Sequence, residues 1–356
     1  MKPALTVAMF PRSAHWRENP YLDLLEQGLQ QHNVNCVRDD SDGLSWRWLW
    51  AQRGRVQVLH FHWLEYHYER ATSLKSASAL TLFLLKLMLA RALGYRLVWT
   101  VHNIQPHEPK HAQLDRMCWW ALAYLAQAIV VHCHDSARQV AQRWGAAAAG
   151  KTHVIAHPNY IGVYKIDCDR HTARQRLNLN DDHRVLLYLG AVRPYKGIED
   201  AIAAFRQLSD PQARLILAGR PINDEIKAQI AALAAADARI QAIFEYIPAG
   251  EIAHYYAAAD AVVLPFRHVQ TSGSALLAMS LARPVLTSAQ GCLPELIAPE
   301  TGLLYEPDQP GALAAAMQHI LQKDLHQMGE RAQAHVSAFT PAQVGEGHAK
   351  IYVGSS

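Results

Sequence analysis

AVVLPFRHVQTSGSALLAMSLARP, residues 261–284, is the stretch whose reading decides the fold. Its opening, Ala261 to Pro265, is apolar and rich in β-branched residues, which predicts a parallel strand buried on both faces. A polar turn from Arg267 to Ser274 follows, with small hydroxyl residues around Gly273. Ala275 to Arg283 is then apolar apart from Ser280 and Arg283, a buried helix that Pro284 ends. In a strand–turn–helix unit, small turn residues let the backbone approach a ligand. The first N–H groups of the helix lack internal partners and carry partial positive charge. Thr271, Ser272, Gly273 and Ser274 are therefore candidates for an anion site, with phosphate the expected anion. A plainer reading stays open, in which Thr271 and Ser272 only cap the helix.

A second stretch has the same form. Val185 to Gly190 reads as a strand and Ile198 to Phe205 as a helix, joined by Ala-Val-Arg193-Pro-Tyr-Lys196-Gly197. Arg193 and Lys196 stand three residues apart on this turn, where a guanidinium fork and a point charge can clamp a diphosphate. Two solvated loop cations are the alternative.

These strings, GAVRPYKGIE, AGRP, YYAAADAVVLPFR, TSGSALLAMSLARPV and GCLPELI, resemble in order and spacing the donor half of family 4 glycosyltransferases of the GT-B type. LHFHWLEY and TVHNIQPHE in the N-terminal half bring the chain closer to the β-mannosyltransferases of xanthan-type exopolysaccharide assembly. The resemblance spans about residues 5–330. It implies an α/β chain with two Rossmann-like parallel-sheet domains facing a central cleft. The expected boundaries are an acceptor domain at 1–165, a donor domain at 166–335, and a last helix over 336–356 crossing back to the first domain. It also implies a nucleoside-diphosphate sugar as donor, GDP-mannose first, and a lipid-linked or oligosaccharide acceptor. The backbone after the strand ending near Tyr246 would meet the nucleotide, with Glu295 near it. His102 falls where relatives bring a histidine to the transferred sugar, and Arg12, His15 and Arg17 on the first loop would contact the acceptor.

The rest of the chain agrees with two domains. Its 356 residues are half hydrophobic, enough for two cores. No run of about 18 uncharged apolar residues is present, so no spanning helix is expected. The first apolar run is too short for a secretory signal and reads as a strand. Five cysteines are scattered without a CxxC pair, as thiols of a reducing cytoplasm would be. Residues 1–165 carry 18 Lys and Arg against 11 Asp and Glu, or +7, and the remainder 16 against 20, or −4. A basic first half suits an anionic partner, a lipid diphosphate or an anionic membrane. No nucleic-acid motif or dense basic run is present, so nucleic acid is not expected. Ser73 to Gly94 reads as an amphipathic helix with Lys75, Lys86 and Arg91 as its charges. It packs on a core or lies on the inner face of the plasma membrane.

The strand Val56–His62 places His60 and His62 on one face and ends beside Glu65. Strand ends of open α/β sheets bind ligands, which makes His62 and Glu65 site candidates. HxH recurs at 132/134, which keeps a zinc hydrolase as a further rival reading. Catalytic zinc needs three converging ligands, and these pairs sit on separate strands with no HExxH helix.

One departure from family 4 concerns mechanism. Two glutamates common there fall on Val269 and Leu277. Their loss speaks against a retaining mechanism and for an inverting one, which needs a base: Glu65, Glu108 or His62. No metal is expected to be required. A retaining hexosyltransferase using a UDP-sugar, a nucleotide-sugar epimerase and an inactive sugar-binding subunit remain as alternatives.

Overall fold

The computed structural model describes residues 5–11, 20–37, 44–104 and 110–354. The chain forms two compact units. Unit 1 runs to Pro158 and takes in the residues from Phe339 onward, and unit 2 is Asn159–Ala338.

Unit 1 is built on six parallel strands: β1 (Leu5–Phe10), β2 (Val34–Val37), β3 (Val58–Phe61), β4 (Arg96–Thr100), β5 (Ala128–Val131) and β6 (Thr152–Val154). Their order is β2-β1-β3-β4-β5-β6. Alternate residues point to opposite faces, so the inner strands feed two cores. Ala8, Phe10, Leu59, Phe61, Leu97, Trp99, Ile129 and Val131 pack on one side with Leu80, Phe83, Leu87 and Ala90 of the helix Ser73–Ala92. Val7, Met9, Val58, Val98, Ala128 and Val130 pack on the other with Tyr21, Leu25, Leu29, Val344, Ile351 and Tyr352. This is why the strands read as continuous apolar runs rather than alternating ones.

The helix Ser73–Ala92 starts at Thr72, whose hydroxyl accepts from Lys75 N. By length and composition it is apolar enough to cross a membrane, although Lys75, Lys86 and Arg91 interrupt it. One side of it is committed to the core, while Leu74, Leu82, Leu85 and Met88 face outward.

The last helix, Pro341–Val353, belongs to unit 1 and packs along the helix Tyr21–Gln30. Two glycines set the approach. A Cβ on Gly28 would lie 1.8 Å from the Pro341 carbonyl oxygen, and one on Gly345 would lie 2.2 Å from Gly28 C. The capping box of Thr340 and Gln343 starts this helix, and His32 Nε2 donates to Ala342 O at 2.9 Å.

Unit 2 holds β7 (Arg184–Leu189), β8 (Ala213–Ala218), β9 (Ile240–Ile243), β10 (Ala261–Leu264), β11 (Val285–Ser288) and β12 (Gly302–Tyr305), ordered β12-β11-β10-β7-β8-β9. All neighbours are parallel. A fully buried arginine ties its N-terminal strand ends together. Arg174 donates to the carbonyls of Ala258, Asn180, Asp181 and His183 and pairs with Asp260 at 2.8 Å. Asp260 accepts in turn from Val185 N at 2.7 Å. The charge is satisfied on every side, as burial demands. Cys36, Cys118 and Cys168 are free thiols.

Gly28→Ala is expected to destabilise unit 1 by about 3 kcal/mol, because the added methyl meets backbone that cannot yield. Gly250→Ala, where nothing lies within 4 Å of the new methyl, should change stability by no more than about 0.5 kcal/mol. Urea melts of the two variants test this; equal stability would refute the close helix contact.

Candidate active site

In unit 2 the strand order reverses between β7 and β10, the position where open parallel sheets bind ligands. The two turns flanking that point are the two the sequence singled out. After β7, Arg193 leads into a single 3-10 turn, Pro194–Lys196, closed by Gly197 at φ 69°. Gly197 is required there twice over: its φ is left-handed, and a Cβ would sit 1.9 Å from Pro265 O. Lys196 is half-buried, with Nζ 4.6 Å from the centre of the Phe266 ring and 5.2 Å from that of Tyr195. Burial, with Arg193 adding repulsion, lowers its pKa to about 8.

Arg267 joins the two turns. Its guanidinium pairs with Asp200 at 2.6 and 2.9 Å and Glu199 at 3.3 Å, and donates to Pro194 O at 3.1 Å. Its backbone N–H donates to Tyr195 O at 3.0 Å. Sequence reasoning missed this residue, whose partner Asp200 lies 67 positions away.

After β10, Ser272 caps the helix Gly273–Ser280, its hydroxyl accepting from Ala275 N at 3.1 Å. The capping reading thus applies to Ser272, while half-buried Thr271, Gly273 and Ser274 form the rest of the turn. The turn after β11 joins it, Cys292 N donating to Gln270 O at 2.8 Å. This brings the short helix Leu293–Leu296 and its exposed Glu295 alongside. Tyr246 lies in the loop after β9 and is 52% exposed, at the same end of the sheet but farther along it.

Unit 1 collects histidines at the carboxyl ends of β3, β4 and β5, on the sheet face that carries Val58, Val98 and Val130. His60 is satisfied on both sides, by Tyr352 OH at 2.6 Å and Thr100 Oγ1 at 2.7 Å. His62 Nδ1 lies 3.2 Å from His102 Nε2, His102 Nδ1 lies 3.4 Å from His132 Nε2, and His132 Nδ1 lies 3.0 Å from Ile155 O. These are ring-to-ring hydrogen bonds, not nitrogens converging on a point. Trp63 stacks on His102 at 4.4 Å. Burial lowers the pKa of His60, His62 and His102 well below the ordinary histidine value, and those of His132 and His348 to about 4. The repeated strand-end histidine was legible in the sequence; His348 and Tyr352, which reach it from the last helix, were not.

Glu65 opens the short helix Glu65–Tyr68 after β3 and is half-buried. Desolvation raises its carboxyl to about 7, with Asp115 and Glu69 adding. Asp115 accepts from Tyr68 OH at 2.5 Å. Glu108, Arg12, His15 and Arg17 lie outside the described residues.

Among the described residues, one group could hold a metal ion: Asp167, Cys168 and His254, in unit 2. The Arg176 guanidinium lies 2.9 Å from His254 Nδ1, and Glu251 and Asp167 also pair with that ring. The group reads as an ion-pair network around a histidine whose pKa its carboxylates raise.

Residues 169–335 match the family described as Glycosyl transferases group 1. The chain is 28% identical over 324 residues to the GDP-mannose:glycolipid 4-beta-D-mannosyltransferase of Xanthomonas campestris pv. campestris, covering 88% of this chain and 83% of the relative. Its fold is similar to that of sucrose-phosphate synthase from Thermosynechococcus elongatus, with TM-score 0.75, 20% identity and 98% of each chain covered. It is similar also to Alr3699/HepE of Anabaena in complex with UDP and glucose, with TM-score 0.75, 17% identity, and 98% and 99% covered.

The buried histidines set an acid limit. Each has a folded pKa below its unfolded value near 6.5, so its contribution to stability is present above that value and lost as pH falls toward 4. Glu65, with its raised pKa, opposes this with a single proton. Unit 1 is expected to lose several kcal/mol between pH 7 and pH 5. Denaturant melts across that range test it, and a flat stability profile would contradict the neutral histidine group.

Proposed function

We propose that the chain is a glycosyltransferase that transfers mannose from GDP-mannose to a lipid-linked glycan acceptor with inversion at the anomeric carbon, a reading supported by the match of residues 169–335 to Glycosyl transferases group 1. The similarity, over 88% of this chain, to a GDP-mannose:glycolipid 4-beta-D-mannosyltransferase carries this reading. Exopolysaccharide assembly at the inner face of the plasma membrane is the setting it suits.

In this reading unit 2 holds the donor. Lys196, Arg193 and the N–H groups of the Thr271–Ser274 turn receive the diphosphate, and stabilise the charge that develops as its bond to C1 breaks. Glu295 and Tyr246 contact the nucleoside. With two fixed cations in this role, no metal is assigned a step. Glu65 of unit 1 takes the proton from the acceptor hydroxyl. The oxygen bonds C1 on the face opposite the departing diphosphate, which leaves with the electron pair as GDP. A carboxylate with a pKa near 7 is matched to this work at neutral pH. His62 is held too far below neutrality to serve as the base, and remains neutral.

Unit 1 also carries an apolar surface suited to a lipid acceptor. Trp46 and Trp50, Leu82, Leu85 and Met88, and Met117, Trp120 and Tyr124 are exposed on three neighbouring segments. Lys86 lies 6.0 Å from the Trp46 ring and Arg53 5.7 Å from that of Trp50. Aromatic and aliphatic side chains with interleaved cations suit the headgroup region of an anionic bilayer.

Proton NMR of the product from GDP-mannose should show a β-linked anomeric centre, unaffected by EDTA; an α-linkage would overturn the inverting reading. Glu65→Gln should lower turnover roughly 10²–10⁴-fold and abolish the fall in rate below about pH 7. Lys196→Ala should weaken GDP binding far more than guanosine binding. Vesicles containing phosphatidylglycerol should bind the protein and release it with salt. Lys86→Glu with Arg91→Glu should prevent that binding while leaving GDP affinity intact, and indifference of the native protein to vesicles would remove the membrane from the reading.

A further inference from the structure

The row of three histidines in unit 1 has a direction. A carbonyl oxygen can only accept, so the His132 Nδ1 that lies 3.0 Å from Ile155 O carries a proton. Neutral His132 then has its lone pair on Nε2, and the 3.4 Å contact must be donated by His102 Nδ1. His102 accordingly offers a lone pair at Nε2, and His62 Nδ1 donates to it across 3.2 Å. His62 is left with a bare Nε2. That nitrogen is buried and has no hydrogen-bond partner among the described residues, and the residue is 2% exposed. Each histidine is buried, and Trp63 stacked parallel on His102 restrains the middle ring. His60, one pleat earlier on the same face, has both nitrogens satisfied and stands outside the row.

A buried acceptor without a donor is costly and rare. We propose that the row presents His62 Nε2 as an obligate hydrogen-bond acceptor for a hydroxyl of one of the sugar substrates, with His102 and His132 as positioning residues that fix its tautomer. This rests on the reading of the chain as a sugar transferase with these substrates. The chemistry selects a neutral O–H donor. A phosphate oxygen would set lone pair against lone pair, and a cation would have to be desolvated among neutral rings. A site built to accept from a hydroxyl discriminates strongly against the sugar that lacks it, since the nitrogen is then left unpaired.

Nitrogen-15 NMR of histidine-labelled protein at pH 7.5 tests the row directly, without any transfer reaction. His62, His102 and His132 should all be Nδ1–H tautomers, the minor form of free histidine, and His132→Phe should release His102 from that form. A His62 carrying its proton on Nε2 would overturn the proposal. GDP-mannose or a short-chain polyprenyl-diphosphate disaccharide should shift His62 Nε2 upfield as it accepts the bond; a nitrogen unmoved by both overturns it. In the transfer assay, His62→Phe should lower kcat/KM roughly 10- to 100-fold for the parent sugars. It should leave kcat/KM unchanged for one monodeoxy analogue, whose position tells donor hydroxyl from acceptor hydroxyl. Equal loss for every analogue would also overturn the proposal. Absence of transfer with unchanged tautomers and a responsive His62 would refute the mannosyl reading alone.

Discussion

A parallel strand buried on both faces can show its chemistry at only one place, its carboxyl end. All the described strands are parallel, and inner ones such as β3, β5, β10 and β11 are buried along their whole length. The interior positions are given over to Val, Leu, Ile and Ala. Polar residues with work to do are pushed to the last strand residue or the turn beyond it. His62, His102 and His132 follow β3, β4 and β5 by one or two positions, and Arg193, Gly219 and Arg267 follow β7, β8 and β10. The sheet thereby aligns groups that are far apart in sequence.

That regularity is what made much of the chain readable. The apolar runs, the glycine-bounded turns and the cap at Ser272 each carry a local signal, and the structure realises them within a residue or two. The strand-end histidines were visible for the same reason. What could not be read is whatever depends on contact at long sequence separation. Gly345 meets Gly28 only because the last helix packs on the first. Arg174 and Asp260 pair across 86 positions, and nothing near either predicts a guanidinium with no exposure at all. The histidine row was read as separate lining residues, because pairing of neighbouring strands, and not spacing along one, sets ring against ring.

Burial acts on charge in opposite senses in the two units. In unit 1 it holds a whole group of histidines neutral and lifts Glu65 toward neutrality. Those groups become donors, acceptors or bases, not fixed charges. In unit 2 the desolvated arginines stay charged and are paired: Arg174 has Asp260 and four carbonyls, Arg239 has Asp237 at 2.7 Å. The difference follows from intrinsic basicity. An imidazole gives up its proton for a modest desolvation cost, whereas a guanidinium does not and must be paired instead.

Lys196 is the exception that makes the turn after β7 suited to an anion. Two acidic residues, Glu199 and Asp200, open the helix three and four positions after it. Either could have neutralised it. Arg267 takes both, and among the described residues no carboxylate pairs with Lys196. Its ammonium rests instead against the faces of Tyr195 and Phe266, which attract a cation without cancelling its charge. Arg267 therefore does more than hold two turns together. By occupying the local carboxylates it leaves a half-desolvated positive charge without a carboxylate partner among the described residues. For the diphosphate role proposed for this turn, the positive charge is in place before the ligand arrives.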